Sequence, residues 1–117
     1  MKIRNGFVTN SSSTSYCIIG VDSNAMVEKI VKSLDISIDA NDICELVDEA
    51  LSKLDIDCIV DYESNYGVLA VGKDPERALA TMTLPEARMA VANTLSQTFG
   101  IDVPVDQVQL LYGTVYN

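Results

Sequence analysis

Histidine and tryptophan are absent from this chain of 117 residues. Histidine is the side chain most often used as a general base near neutral pH and the commonest metal ligand, so its absence argues against acid–base catalysis and against a metal site. The chain also lacks the Gly-x-Ser-x-Gly elbow of serine hydrolases and the Gly-Lys-Ser/Thr ending of a phosphate-binding loop. We therefore expect a protein that is not an enzyme and that holds no cofactor and no metal.

Basic residues are scarce. Eight Lys and Arg stand against 17 Asp and Glu, which gives a formal net charge of −9. Such a chain repels nucleic-acid phosphate and anionic lipid. We expect no direct nucleic-acid binding and no membrane association, whereas the basic surface of a protein partner would be attracted. The alternative is that the charge only keeps a small protein soluble and monodisperse.

Long apolar runs and a disulfide framework are missing as well. No apolar run approaches the roughly 18 residues that span a bilayer, and polar residues follow the basic pair Lys2 and Arg4 where a signal peptide would be apolar. The three cysteines, Cys17, Cys44 and Cys58, are widely spaced in apolar surroundings, which indicates buried thiols in a reducing compartment. We expect a cytoplasmic protein.

The chain opens with the sequence MKIRNGFVTNSSSTSY, in which five hydroxyl residues, Ser11 to Ser15, stand in a row. This combination of a basic pair, Gly-Phe-Val-Thr-Asn, a serine run and an aromatic residue resembles the leader of small proteins of tailed bacteriophages and their bacterial hosts. It differs from the commonest form of that leader at Thr9, Thr14 and Tyr16. The leader carries no activity that could be transferred to this chain, so the resemblance implies an origin in a phage or its bacterial host and no mechanism.

The domain organisation follows from composition and length. We interpret residues 1–15 as a Ser-rich leader, a flexible tail or an edge strand, and residues 16–117 as one domain with a single core. The stretch Tyr16–Val21 is apolar on both alternating faces, which predicts a central strand. A helix is predicted next, from a cap among residues 22–24 to Leu34.

The second helix has the clearest pattern in the sequence. It is predicted to begin after a cap at Asn41 or Asp42 and to end at Leu54. Its apolar residues recur at i, i+3, i+4, i+7, i+8 and i+11. They are Ile43, Leu46, Val47, Ala50, Leu51 and Leu54.

The remaining elements alternate between strand and helix signals. Residues 57–62 and 66–72 read as an antiparallel hairpin, and Asp74-Pro75-Glu76 reads as a turn or as a capped helix start. A capping box, Thr83 to Glu86, opens a helix that ends at Gly100 and carries Arg88 on its apolar stripe. A closing strand over 107–116 is broken by Gly113. The order β-α-α-β-β-α-β predicts an α+β fold, with about three helices on one face of a mainly antiparallel sheet.

Two groups of side chains are candidates for partner binding. The predicted acidic face of the second helix consists of Asp42, Glu45, Asp48 and Glu49. The tyrosines predicted at sheet edges are Tyr62, Tyr66 and Tyr112, with Tyr116 on the face of Tyr112. Edge aromatics serve as interface anchors or as cross-strand packing partners, and packing is the expectation for at least two of the four.

A third group, Asp55, Asp57 and Asp61, has the spacing to place two carboxylates on one face of an extended segment, where Mg²⁺ or Ca²⁺ would bind. It lacks the glycine and the closing glutamate of a calcium loop. We interpret these residues as solvated carboxylates at a strand end. The pair Asp102 and Asp106 is interpreted in the same way.

Two functions from different classes fit these observations. The first is a non-enzymatic, phage-encoded interaction module that binds and modulates a host protein through its acidic surface, with DNA mimicry as the sharpest version. The alternative is a structural or assembly subunit of a virus particle or other homo-oligomer, in which the partner is a second copy of the chain.

Overall fold

The computed structural model describes residues 13–36, 42–61 and 66–116. Its four strands form one antiparallel sheet in the order β2-β3-β1-β4. The elements are β1 (Ser13–Val21), α1 (Asn24–Ser33), α2 (Ile43–Lys53), β2 (Asp57–Val60), β3 (Val68–Lys73), α3 (Pro75–Ala78), α4 (Leu84–Phe99), a 3₁₀ turn (Val105–Gln107) and β4 (Gln109–Tyr116). The predicted α+β class and element order are confirmed, with the short helix α3 added before α4.

The apolar residues of the sheet divide between its two faces. The main core lies between the helices and one face, where Ile19 and Val21 of β1 meet α1, α2 and α4. A smaller cluster on the other face contains only strand residues, centred on Ile18, Ile59 and Ala70. Strand β1 lies between β3 and β4, so the prediction of a central strand covered on both faces is confirmed.

Strands β1 and β3 approach each other closely where Gly20 pairs with Gly72. A Cβ atom at Gly20 would lie 2.0 Å from the carbonyl oxygen of Val71, and one at Gly72 would lie 2.0 Å from that of Ile19. No side chain fits at that distance, so both positions require glycine.

The helix starts follow the predicted capping chemistry in three cases. The Ser23 hydroxyl accepts a hydrogen bond from the N–H of Met26 at 3.1 Å, and the Thr83–Glu86 capping box is complete. The Asp74 carboxylate accepts a hydrogen bond from the N–H of Glu76 at 3.2 Å, so Asp74-Pro75-Glu76 is a capped helix start and not a turn. Asp42 occupies the predicted N-cap position of α2, and its carbonyl oxygen accepts a hydrogen bond from the N–H of Leu46 at 3.1 Å, but its side chain makes no capping hydrogen bond. Asn41 lies outside the described residues.

The last strand differs from the prediction at two points. It begins at Gln109 because residues 105–107 form a 3₁₀ turn, which Arg88 holds against α4 by donating to the carbonyl oxygens of Val108 (2.6 Å) and Val105 (3.3 Å). Strand β4 is also unbroken at Gly113, which pairs with Tyr16 of β1. A Cβ at Gly113 would lie 2.9 Å from the Tyr16 hydroxyl, so the glycine makes room for the aromatic ring.

The N-terminal end of β1 lies within the segment assigned to the leader. Ser13, Thr14 and Ser15 pair with the end of β4. Residues 1–12 of the leader and residues 62–65 of the predicted hairpin lie outside the described residues.

Candidate interaction surface

Helix α2 turns one side toward the sheet and the other toward solvent. Val47 and Leu51 are buried in the main core, as the apolar periodicity predicts, and Cys44 is buried beside them on the same side of the helix. Asp42, Glu45 and Glu49 are exposed, at positions i, i+3 and i+7 of one helical surface. We call these three residues the acidic face. Lys53 pairs with Glu49 at 3.4 Å, but both side chains are well exposed, and such a pair contributes little.

Asp48 is not part of this surface, which corrects the predicted acidic face. Its side chain is only 4 % exposed, and the thiol of Cys58 on β2 donates to its Oδ1 at 3.5 Å. Asp48 immediately follows the buried Val47 and lies one turn from Cys44, so it belongs to the edge of the buried side of the helix. It therefore links α2 to the sheet and is not available to a partner.

An open groove of about 500 Å³ borders the acidic face, between the C-terminal end of α1 and α2. Its walls are mainly apolar, with Glu49, Lys53 and Ser33 contributing polar atoms. The apolar lining residues are Leu34, Ile36, Leu46, Ala50 and Leu54. Leu54 is 45 % exposed. We call this feature the α1–α2 groove.

The groove was not predicted, although most of its residues belong to recognised apolar stripes. Leu46, Ala50 and Leu54 continue the periodic pattern of α2 and were expected in the core. The sheet covers the Val47 and Leu51 side of that stripe, and the other side forms the groove wall. Sequence periodicity predicts that a stripe is apolar, and the width of the neighbouring layer decides how much of it is buried.

The predicted tyrosines do not gather at one site. Tyr66 is partly buried and packs against the main core, so its role in the fold is packing. Tyr112 is 78 % exposed on β4, at the sheet edge opposite to β2, whereas α2 packs on β2 and β3. The acidic face and Tyr112 are therefore separate surfaces. Tyr62 lies outside the described residues.

The carboxylates that were considered for a metal site are arranged differently from the prediction. Asp55 has a left-handed backbone, with φ of 57°, so the segment is not extended there and Asp55 does not share a strand face with Asp57. Asp55 is exposed and lies near Lys73 (3.7 Å) and Arg77 (3.9 Å). Asp57 is buried and accepts a hydrogen bond from the N–H of Asp74, so its interpretation as a solvated carboxylate is wrong.

A second cavity, of about 260 Å³, lies between this cluster and α4. Asp57, Lys73, Asp74 and Arg77 line one side, and apolar residues such as Met82 line the other. Asp57 and Asp74 hold the start of α3, while Lys73 and Arg77 face Asp55. The charged groups around this cavity thus have structural partners within the fold.

The thiols are also engaged in the fold. Cys44 and Cys58 are buried and Cys17 is half-buried, and all three are thiols that form no disulfide. Burial raises the pKa of Cys17, with a smaller contribution from Asp74, and burial raises the pKa of Cys44, with a smaller contribution from Asp61. A raised pKa lowers the thiolate fraction, so these two thiols are poor nucleophiles.

Across residues 13–36, 42–61 and 66–116, no group of three or more histidine, cysteine, aspartate or glutamate side chains is arranged to hold a metal ion. Within the same ranges, every helix is too short or too polar to cross a bilayer. No family model, curated protein or solved structure matches the chain. The acidic face and the adjoining α1–α2 groove are consequently the strongest candidate for a functional site.

Proposed function

We propose that this protein is a non-enzymatic interaction module that binds a basic, amphipathic segment of a host protein and modulates that protein. The observation that carries the proposal is the contact between the acidic face and the apolar α1–α2 groove, with Glu49 common to both. Interfaces that combine an apolar centre with a charged rim bind protein segments, since the apolar part contributes affinity and the charges contribute specificity.

The charge distribution selects a basic partner. The sequence between Lys32 and Lys53 contains six acidic residues and no basic one. The three residues of the acidic face are exposed, so their carboxylates are hydrated in the unbound protein and carry no desolvation cost. Lys or Arg side chains on a partner would then be steered toward α2, with an association rate that falls as salt is added.

The groove distinguishes docking of a segment from DNA mimicry. A mimic of phosphate needs charge alone, so its binding should vanish at high salt. Docking into the α1–α2 groove also removes apolar surface of Leu34 and Leu54 from water, and that contribution is insensitive to screening. We propose docking of an amphipathic segment, with charge as the steering component.

The origin of the protein and its cellular location are part of the same proposal. The leader resemblance supports a phage-encoded protein that acts in the cytoplasm of a bacterial host. Cys17, Cys44 and Cys58 form no disulfide, which fits a reducing compartment.

The test is affinity capture from bacterial lysate with a C-terminal tag and three matched baits. The baits are the wild type, a variant with Asp42→Lys, Glu45→Lys and Glu49→Lys, and a control with Glu76→Lys, Asp102→Lys and Asp106→Lys. Both variants carry the same change in net charge, and all six positions are exposed. We expect a basic protein that is retained by the wild type and the control and lost from the α2 variant. Equal retention by all three baits would rule out the acidic face.

A second variant separates charge from apolar contact. Leu54→Ser removes apolar surface from the α1–α2 groove without changing the charge, and its side chain is already 45 % exposed, so the fold should tolerate it. We expect partner binding to weaken in this variant at both low and high salt. Unchanged binding by Leu54→Ser, with loss in the α2 charge variant, would favour DNA mimicry over segment docking.

A further inference from the structure

Strand β4 forms one edge of the sheet among the described residues. It is eight residues long and contains no charged residue and no proline. Proteins usually shield such an edge with a charge, a proline, a bulge or a covering helix, because its unpaired N–H and C=O groups are a template for another strand. By contrast, the opposite edge strand, β2, has four residues and an irregular register at Ile59 and Val60.

The same region is the uncharged part of a strongly acidic chain. No charged residue occurs in β1 or anywhere from Gln107 to Asn117, although the net charge of the protein is −9. Each of the four helices carries at least one carboxylate, so two copies that approach through a helix bring carboxylates together, whereas approach through β4 does not. Like charges placed opposite each other are costly at an interface, so the β4 edge is where a second copy meets the least repulsion.

Among the described residues the edge is also largely open. The helices pack mainly against β1, β2 and β3, and on β4 Leu110 joins the main core while the residues beyond it are more exposed. On the helix side of β4, Tyr112 is 78 % exposed, and on the other side Leu111 is half-buried at the rim of the Ile18 cluster. A strand that pairs with β4 would cover both side chains, and aromatic residues with this exposure are common anchors of interfaces.

We propose that two copies of this chain associate through antiparallel pairing of β4 with β4, which joins their sheets into one sheet of eight strands. The arrangement has a two-fold axis perpendicular to the sheet, so both helix layers lie on the same side and the contact is closed by symmetry. The acidic face lies over the opposite edge of each sheet and stays accessible in the dimer. This inference is therefore independent of the proposed binding of a host protein.

Sedimentation equilibrium of the untagged full chain tests self-association, over concentrations from about 1 to about 300 μM, a range that brackets weak interfaces. The wild type should shift from monomer to dimer with concentration. Tyr112→Lys combined with Thr114→Lys places like charges at the β4 edge and should reduce the dimer at least tenfold. The control, Gln97→Lys with Thr98→Lys, adds the same charge on the exposed side of α4 and should dimerise like the wild type.

A distance measurement keeps the assignment testable if the double variant folds poorly. A nitroxide attached at Thr114→Cys, in a Cys17→Ser background, should give a distance between the two labels below about 25 Å, because paired strands lie about 4.8 Å apart. A monomer at every concentration would overturn the proposal. So would a dimer that persists in the Tyr112 and Thr114 variant, or label distances well beyond that value. Heterodimers formed only with another protein's strand would assign the edge to a different partner and equally overturn it.

Discussion

The Asp57 carboxylate accepts a hydrogen bond from the backbone N–H of Asp74 at 2.8 Å and thereby ties β2 to the start of α3. Both residues are at least nine-tenths buried, and Asp74 itself caps the N–H of Glu76. The carboxylates of Asp57 and Asp74 thus each accept a hydrogen bond from a backbone N–H at the point where the chain leaves β3. An unsatisfied buried donor costs about 1–3 kcal/mol, so this link should contribute measurably to stability.

We expect Asp57→Ala to lower the free energy of unfolding by about 1–3 kcal/mol, because the N–H of Asp74 loses its acceptor. Asp57→Asn should recover part of the loss, since the amide oxygen can still accept. Urea denaturation monitored by circular dichroism measures the change. The control is Asp55→Asn, which removes an exposed charge, keeps a side chain that tolerates the left-handed backbone, and should cost less than about 1 kcal/mol. Equal losses for Asp55 and Asp57 would contradict the structural role of this hydrogen bond.

The glycine pair at the centre of the sheet leads to a second prediction. Gly72→Ala should cost at least about 3 kcal/mol, because its Cβ would meet the Ile19 carbonyl oxygen at 2.0 Å and the strands would have to separate. Gly100→Ala is the control, since it has open space around it and carries only the strain of its φ of 64°, about 1–2 kcal/mol. The thermal unfolding midpoints of the two variants are compared, and Gly72→Ala should have the lower one. If Gly72→Ala were at least as stable as Gly100→Ala, β1 and β3 would not approach each other as closely as the structure shows.

The parts of the fold that could be predicted from sequence are those with local chemistry. The capping box at Thr83 depends only on two residues that are three positions apart. The periodicity of α2 depends only on residues in successive turns of the same helix. The local sequence at Asp74 is compatible with a turn or with a helix start. The structure forms a helix start there, and its backbone is held by Asp57, which is 17 residues away and accepts a hydrogen bond from the N–H of Asp74.

The candidate site was predicted only in part, because exposure is a property of the neighbouring layer. Glu45 and Glu49 face solvent as the helical pattern indicates, but Asp48 lies at the border between the two sides of α2. Whether a border residue is buried depends on what the sheet presents there, in this case the thiol of Cys58. Likewise, no local pattern distinguishes Tyr66, which packs on the core, from Tyr112, which is exposed at an edge.

The border position of Asp48 can be tested directly. Asp48→Lys should destabilise the protein by about 3–5 kcal/mol, because it buries a cation in a site built around a carboxylate. Glu45→Lys, one turn earlier on the exposed surface, should change stability by less than about 1 kcal/mol. Chemical denaturation of the two variants separates these outcomes. If Asp48→Lys were as stable as Glu45→Lys, Asp48 would belong to the solvent-exposed acidic face as the helical pattern alone suggests.

The start of α4 gives a prediction for the dependence of stability on pH. The backbone N–H of Thr83 and then its hydroxyl donate to the carboxylate of Glu86, which lowers the pKa of Glu86 below its ordinary value of 4.5. A carboxylate whose pKa is lower in the folded state binds fewer protons there than in the unfolded chain, so its contribution is present above the unfolded pKa. That contribution is lost as the pH falls through the lowered folded pKa.

Glu86→Gln keeps the shape of the capping box and one acceptor oxygen but cannot titrate, so the difference between wild type and variant isolates the charge. We expect the wild type to be the more stable protein at neutral pH and the advantage to shrink once the pH drops below 4.5, until the curves run parallel below the folded pKa. Urea midpoints measured in steps of pH give both curves. The helix N-terminus favours the carboxylate in the same direction, so a constant difference across the acid range would show that neither the cap nor the helix dipole stabilises the ionised form.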